Sequence, residues 1–224
     1  WLQFEIMLKS IEPYFAFNDP NKIWQETPAN LVLEIQFLIL FALCTYDAWW
    51  SSRNALKRIA WLMALFCGVL IELLTILPTS IGNFYHSQFT LMLFDHREPF
   101  YMLPCLYVWC LYTVPTTLWH CSLGHKLAEY ALTVIMVFLL WQPLDLLGIH
   151  FQFWTWHNSE PLYVERRGGV PITSTYWMMA YIGGMQLCLS IVRDHYFYAR
   201  RRSLKQGRRG GVSLLQCVGL AIVA

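Results

Sequence analysis

The chain has 224 residues, 57% of them hydrophobic and 13% charged, with a formal net charge of +2. An ordinary soluble domain carries roughly 25% charged residues, so a soluble enzyme, a disordered chain and a coiled coil are poor readings. A polytopic α-helical membrane protein is expected instead.

Residues 1–28 open with WLQFEIMLKSIEPYFAF, a short amphipathic stretch broken by NDPNK. It reads as an N-terminal interfacial helix and loop. Residues 29–224 read as one transmembrane helical domain, with no internal repeat. A span takes about 20 apolar residues. Five segments qualify: 29–50, 59–77, 100–119, 127–147 and 173–192; a sixth begins near Gly211 and runs to Ala224. The fold class is therefore all-α, a polytopic bundle of about six spans. The chain starts at Trp1 and stops inside an apolar run, and is read as continuing at both ends.

Charge alternates between loops. Arg53, Lys57 and Arg58 follow the first span, and His120, His125 and Lys126 follow the third. After the fifth comes RDHYFYARRRSLKQGRR, with seven Lys or Arg against one Asp. The positive-inside rule puts these three loops in the cytoplasm, matrix or stroma. An organellar inner membrane or an endomembrane fits. The basic tail suits anionic lipid better than nucleic acid. Expected partners are membrane lipids and other membrane subunits, with no nucleic acid. The seven cysteines form no CxxC pair and read as buried, reduced, small apolar residues.

The remaining ionisable groups gather on the less basic side. Glu72 and Asp145 lie near span ends, where a carboxylate faces a bundle interior or a wet cavity. With His157 they are the candidate acid–base residues. His86, His96, Arg97, Glu98, Glu160, Arg166 and Arg167 complete a polar cluster that contacts lipid or a partner. Glu72, His86, Arg97, Asp145, His157 and Arg166 are expected to converge, with Arg97, Arg166 and Arg167 pairing the carboxylates. HxxxH, HxxHH and HExxH spacings are absent, so no metal is expected. No cofactor is expected either, although a bound lipid or pigment fits. The stretch FWTWHNSEPLYVERRGGVP, residues 153–171, reads as a loop folding back over the bundle. Phe153, Trp154 and Trp156 anchor it, and Pro161, Gly168, Gly169 and Pro171 shape its turns.

The strings IELLTILPTSIGNFYHSQFTLMLFDHREPFYMLPCLYVWCLYT and PLDLLGIHFQFWTWHNSEPLYVERRGGVPITSTYWMM resemble an uncharacterised family of eukaryotic multi-pass membrane proteins, over roughly residues 65–190. The layout is also faintly similar to carotenoid hydratases of the bisanhydrobacterioruberin type. The matching positions are Glu72, Asp145, Trp154, Trp156, Gly169, Val170 and Pro171. That second resemblance implies acid–base chemistry on an isoprenoid.

Two function classes follow. One is a non-catalytic subunit of a larger membrane assembly, its polar groups acting as ties. The other is a membrane-embedded enzyme acting on an isoprenoid or other lipid by acid–base chemistry. A transporter is a third reading, less favoured without visible repeats. The balance lies with the subunit, because no catalytic spacing is specific. The topology is testable directly. A Ser159→Cys variant should react with an impermeant thiol reagent outside intact vesicles, and a Ser203→Cys variant only after permeabilisation; the reverse pattern refutes the orientation.

Overall fold

The computed structural model describes residues 14–51, 54–76, 84–94, 96–121, 123–156 and 164–205. Helices α1 (Pro20–Glu26) and α2 (Pro28–Tyr46) both begin on proline. Its fixed φ and missing N–H suit a first helical turn. Asp19 caps α1 by accepting from the Asn21 N–H at 2.9 Å. The NDPNK stretch, expected to break a helix, therefore starts one.

A π-helical turn, Asp47–Ser51, extends α2, and α3 covers Ala55–Ile76. A second π-helical turn, Met102–Leu106, leads into α4 (Tyr107–Leu118). The last two helices are α5 (Lys126–His150) and α6 (Ile172–Lys205). Helix α5 packs along α6, and α3 along α4, around a core that includes Phe37, Ile59, Leu111, Ile182 and Leu189.

Short strands tie down one end of the bundle. β1 (Phe15–Phe17), β3 (Leu91–Leu93) and β4 (Glu98–Pro99) form an antiparallel sheet in the order β1-β3-β4. β2 (Phe84–His86) pairs with β5 (Trp154–Trp156), which sets His86 opposite Trp154. β6 (Arg166–Arg167) pairs with β7 (Val170–Pro171) through the turn Gly168–Gly169, where both glycines have positive φ. Few other residues adopt that conformation without strain.

The chain is mostly helical, as an all-α reading requires. The expected count of six spans is not reached. Among the described residues, two helices are long and apolar enough to cross a membrane, Pro28–Ser51 and Lys126–His150. The physical reasons differ by helix. α3 carries Glu72 inside its apolar stretch, α4 has only 12 residues, and α6 mixes Gly183, Gly184, Gln186 and Ser190 into its apolar sequence. Residues 211–224, the expected sixth span, lie outside the described residues, as do residues 1–13 of the expected interfacial helix. Phe15–Phe17, read as the end of that helix, is a strand.

The ends of α2, α3, α5 and α6 that carry the basic loops are cross-linked by ion pairs. Lys57 meets Asp47 at 2.7 Å, and Tyr112 donates to the same carboxylate at 2.5 Å. Arg193 on α6 reaches both oxygens of buried Glu129 on α5, at 2.8 and 2.9 Å, where Ser190 also donates at 2.8 Å.

Close approach of α5 and α6 depends on glycine. A Cβ at Gly183 would lie 2.6 Å from the Tyr130 ring, whereas one at Gly184 would meet nothing within 4 Å. Gly183→Leu should therefore destabilise the protein by about 1–3 kcal/mol through overpacking. Gly184→Ala should stabilise it by roughly 0.5–1 kcal/mol through helix propensity. Thermal unfolding in detergent checks both; equal effects would refute this packing.

Candidate functional site

At the end opposite these ion pairs lies a cavity of about 220 Å³. Three helices supply its walls at helical spacings. Ser174, Trp177, Met178 and Tyr181 fall at i, i+3, i+4 and i+7 on α6, which is one helix face. Trp141 and Asp145, four apart, share a face of α5, and Ile71, Glu72 and Leu74 come from the end of α3. Met102 and Tyr107 close the α4 side, and Trp154 and Trp156 roof it from β5. No lysine, arginine or histidine is among the described residues that line it.

Both carboxyl groups on the wall are buried, Glu72 and Asp145 each being 2% exposed. A buried polar group must be hydrogen-bonded or it costs stability. The Tyr107 hydroxyl donates to Glu72, and the Ser174 hydroxyl donates to Asp145 at 3.2 Å. Gly148, one turn beyond Asp145, lets the Trp154 indole lie directly on the α5 backbone. Trp154 is 2% exposed, and its buried indole N–H lies beside the Asp145 carboxyl.

Behind the cavity sits a second buried pair. His86 Nε2 lies 3.2 Å from a Glu98 carboxyl oxygen, each side chain being 1% exposed. The β2–β5 pairing stacks His86 edge-on against Trp154, with ring centroids 6.2 Å apart. The tight turn at His96, with positive φ, returns Glu98 alongside β3. Burial pushes the His86 imidazole down to about 4, with the Glu72 charge acting in the opposite sense. Burial pushes the Glu98 carboxyl well above its usual range, partly offset by Arg97. Removal from water thus favours a neutral pair, an imidazole facing a carboxylic acid.

Of the residues singled out in the sequence, Glu72, His86, Glu98 and Asp145 are brought together. Arg97 is exposed at the edge, within electrostatic reach of Glu98. Arg166 donates to the carbonyls of Trp156 at 2.8 Å and Gly169 at 3.4 Å, so it braces β5 against the β6–β7 turn. Arg167 is exposed, and His96 meets Gln88 at the surface at 3.0 Å. His157 and Glu160 lie outside the described residues. Arginine was expected to satisfy the carboxylates. The hydrogen bonds found for Glu34, Glu72 and Asp145 include hydroxyl donors: Thr90, Tyr107 and Ser174. Tyr107, Trp141, Ser174 and Trp177 were not anticipated. The spacing of four between Trp141 and Asp145 was a usable signal, whereas nothing set Tyr107 apart within its aromatic run.

Residues 7–208 match the family described as a domain of unknown function (DUF7802), and the chain belongs to that family. No curated protein and no solved structure matches the chain.

The neutral pair has a pH signature. In the unfolded chain Glu98 ionises near its ordinary 4.5 and His86 loses its proton near 6.5. The folded pair keeps one proton from about 4 upward. The depressed histidine makes folding less favourable as pH falls from 6.5 towards 4, and the raised glutamic acid makes it more favourable over most of that range, so the two offset. Above pH 6.5 the unfolded chain holds no proton on either group, whereas burial lets Glu98 keep its proton to higher pH in the folded state. Stability should then fall by up to about 1.4 kcal/mol per pH unit until Glu98 ionises. Glu98→Gln should reverse the contribution, flat above 6.5 and declining below it. Unfolding in detergent across pH checks this; an unchanged alkaline slope in Glu98→Gln refutes the neutral pair.

Proposed function

We propose that this chain is a multi-pass integral membrane protein that takes an isoprenoid or other lipid into the cavity, where Glu72 and Asp145 exchange protons with it. The observation that carries the reading is that two buried carboxyl groups open onto one cavity whose other walls are mainly aromatic and apolar. Such a wall binds hydrocarbon, and a few placed polar groups orient it. Tyr107 and Ser174 hold the two carboxyls by hydrogen bonds, which fixes where a proton leaves or arrives.

Two further features support the reading. Val32, Ile35, Ile39 and Leu43 on α2 and Ile135 and Leu139 on α5 are more than half exposed. Large apolar faces of this kind suit lipid contact. Of the positions that resemble carotenoid hydratases, Glu72, Asp145, Trp154 and Trp156 all line the cavity. The ion pairs that act as ties, Asp47 with Lys57 and Glu129 with Arg193, lie at the opposite end, where basic loops would face the cytoplasm, matrix or stroma.

The test is lipid recovery. The full chain, purified from membranes, should carry a stoichiometric neutral lipid identifiable by extraction and mass spectrometry. Met178→Trp, which fills the cavity, should lose it. Asp145→Asn should keep the lipid and slow its conversion by about 10²-fold or more. Absence of any enriched lipid, with other membrane subunits co-purifying instead, would overturn the proposal in favour of a non-catalytic subunit.

A further inference from the structure

A second cavity, of about 470 Å³, lies at the end of the bundle that carries the basic loops. The starts of α3 and α5, the residue after α4 and the second half of α6 surround it. The hydrogen bonds already made there leave its wall rich in donors. Glu129 is filled: Arg193 reaches its two oxygens at 2.8 and 2.9 Å, Ser190 donates at 2.8 Å and Gln186 at 3.3 Å. Arg193 makes both contacts through one nitrogen, Nη2, of a guanidinium that carries five N–H donors. His125 accepts from the Leu127 N–H through Nδ1 at 3.2 Å, so its Nε2 carries the ring proton. The Trp119 indole N–H is buried and has no hydrogen-bond partner among the described residues. Asp194, the other acid on this wall, is half-exposed and lies 2.6 Å from Lys126; an exposed pair of that kind is worth little.

An unmade buried hydrogen bond is costly, so an acceptor placed against Trp119 is favoured. A negatively charged group with several acceptor oxygens answers Trp119, Lys126 and Arg193 together, and a phosphate is such a group. A cationic head group would bring donors to a wall of donors. The source is a lipid rather than a solute. Leu56 and Phe197 give the cavity apolar wall, and the sequence of α6 runs on through Arg200, Arg201, Arg202 and Lys205. A basic cluster beside a membrane gathers anionic lipid.

We propose that this cavity binds the phosphate group of an anionic membrane lipid, with Trp119, Lys126 and Arg193 donating to it. The site shares the membrane reading with the cavity at the other end and needs no ligand there.

Native mass spectrometry of the full chain in a neutral detergent tests it, with phosphatidylglycerol as the probe. The lipid should bind saturably at one tight site, at least tenfold more strongly than phosphatidylcholine. Trp119→Phe, which keeps an aromatic ring and removes the donor, should weaken that site about tenfold, as expected for one buried hydrogen bond. The same variant should leave the melting temperature in lipid-free detergent unchanged, because the lost donor bonds to nothing within the protein. Asp194→Asn should tighten the site by removing a like charge, whereas a merely structural Lys126–Asp194 tie gives no gain. Equal binding of phosphatidylcholine, binding indifferent to Trp119→Phe, a lower lipid-free melting temperature in that variant, or no gain in Asp194→Asn each overturns the anion site. Displacement of phosphatidylglycerol by inorganic phosphate at comparable concentration overturns the lipid as its source. Phosphatidylglycerol bound here, with no lipid in the Glu72–Asp145 cavity, leaves this site standing and removes only the other.

Discussion

A carboxyl group buried among apolar helices has to find hydrogen-bond donors, and the architecture of one end of this molecule follows from that constraint. Among the described residues, the Glu34, Glu72, Glu98 and Asp145 side chains are almost withdrawn from water there. Helices alone supply too few donors, because their backbone N–H groups are already committed. The donors come from outside or from the helix margins. Thr90 precedes β3 and reaches Glu34 at 2.7 Å, and Ser174 sits in the first turn of α6. Tyr107 opens α4 directly after a π-helical turn. The short strands exist at the end of the bundle that holds the buried acids, and they bring β2 and β4 within reach of each other through His86 and Glu98.

The two ends of the bundle hold their buried acids in different ways. Where Glu129 meets Arg193 and Asp47 meets Lys57, opposite charges are matched at hydrogen-bond distance. The Glu129–Arg193 pair is the more buried of the two, and such a pair is costly to break. At the other end Glu72 and Asp145 share their cavity wall with hydroxyls and indoles. A carboxyl held by neutral donors retains the capacity to change protonation, which a matched ion pair suppresses. Burial of a carboxylate therefore does not distinguish a site from a tie.

Much of the helical framework was legible. Each apolar run of about 20 residues produced a helix, and four of the five expected segments lie within a few residues of α2, α3, α5 or the π-turn plus α4. The fifth continues as helix to Lys205, because the basic segment carries strong helix formers such as Arg and Lys and no proline. The strands were not legible. Among the described residues none exceeds three residues, too short for a period of two to stand out. The pairing of His86 with Glu98 was invisible for the same reason, since it requires the β3–β4 turn and the β2–β5 register together. Tyr107 and Ser174 as donors to Glu72 and Asp145 were not foreseen, because charge says nothing about which helix end a tyrosine or serine occupies.

Trp154 shows how these levels join. Its alternation along β5 turns it inward with Trp156, and the strand pairing sets His86 across from it. Its indole lies on α5 only because residue 148 is glycine; a Cβ there would overlap the ring. One side chain thus touches the backbone of the helix that bears Asp145, the imidazole of the neutral pair and the wall of the cavity. Any residue larger than glycine at position 148 would push the indole away from Asp145 and from His86 together. The glycine, the strand register and the buried acids are therefore a single constraint, met by one ring in one position.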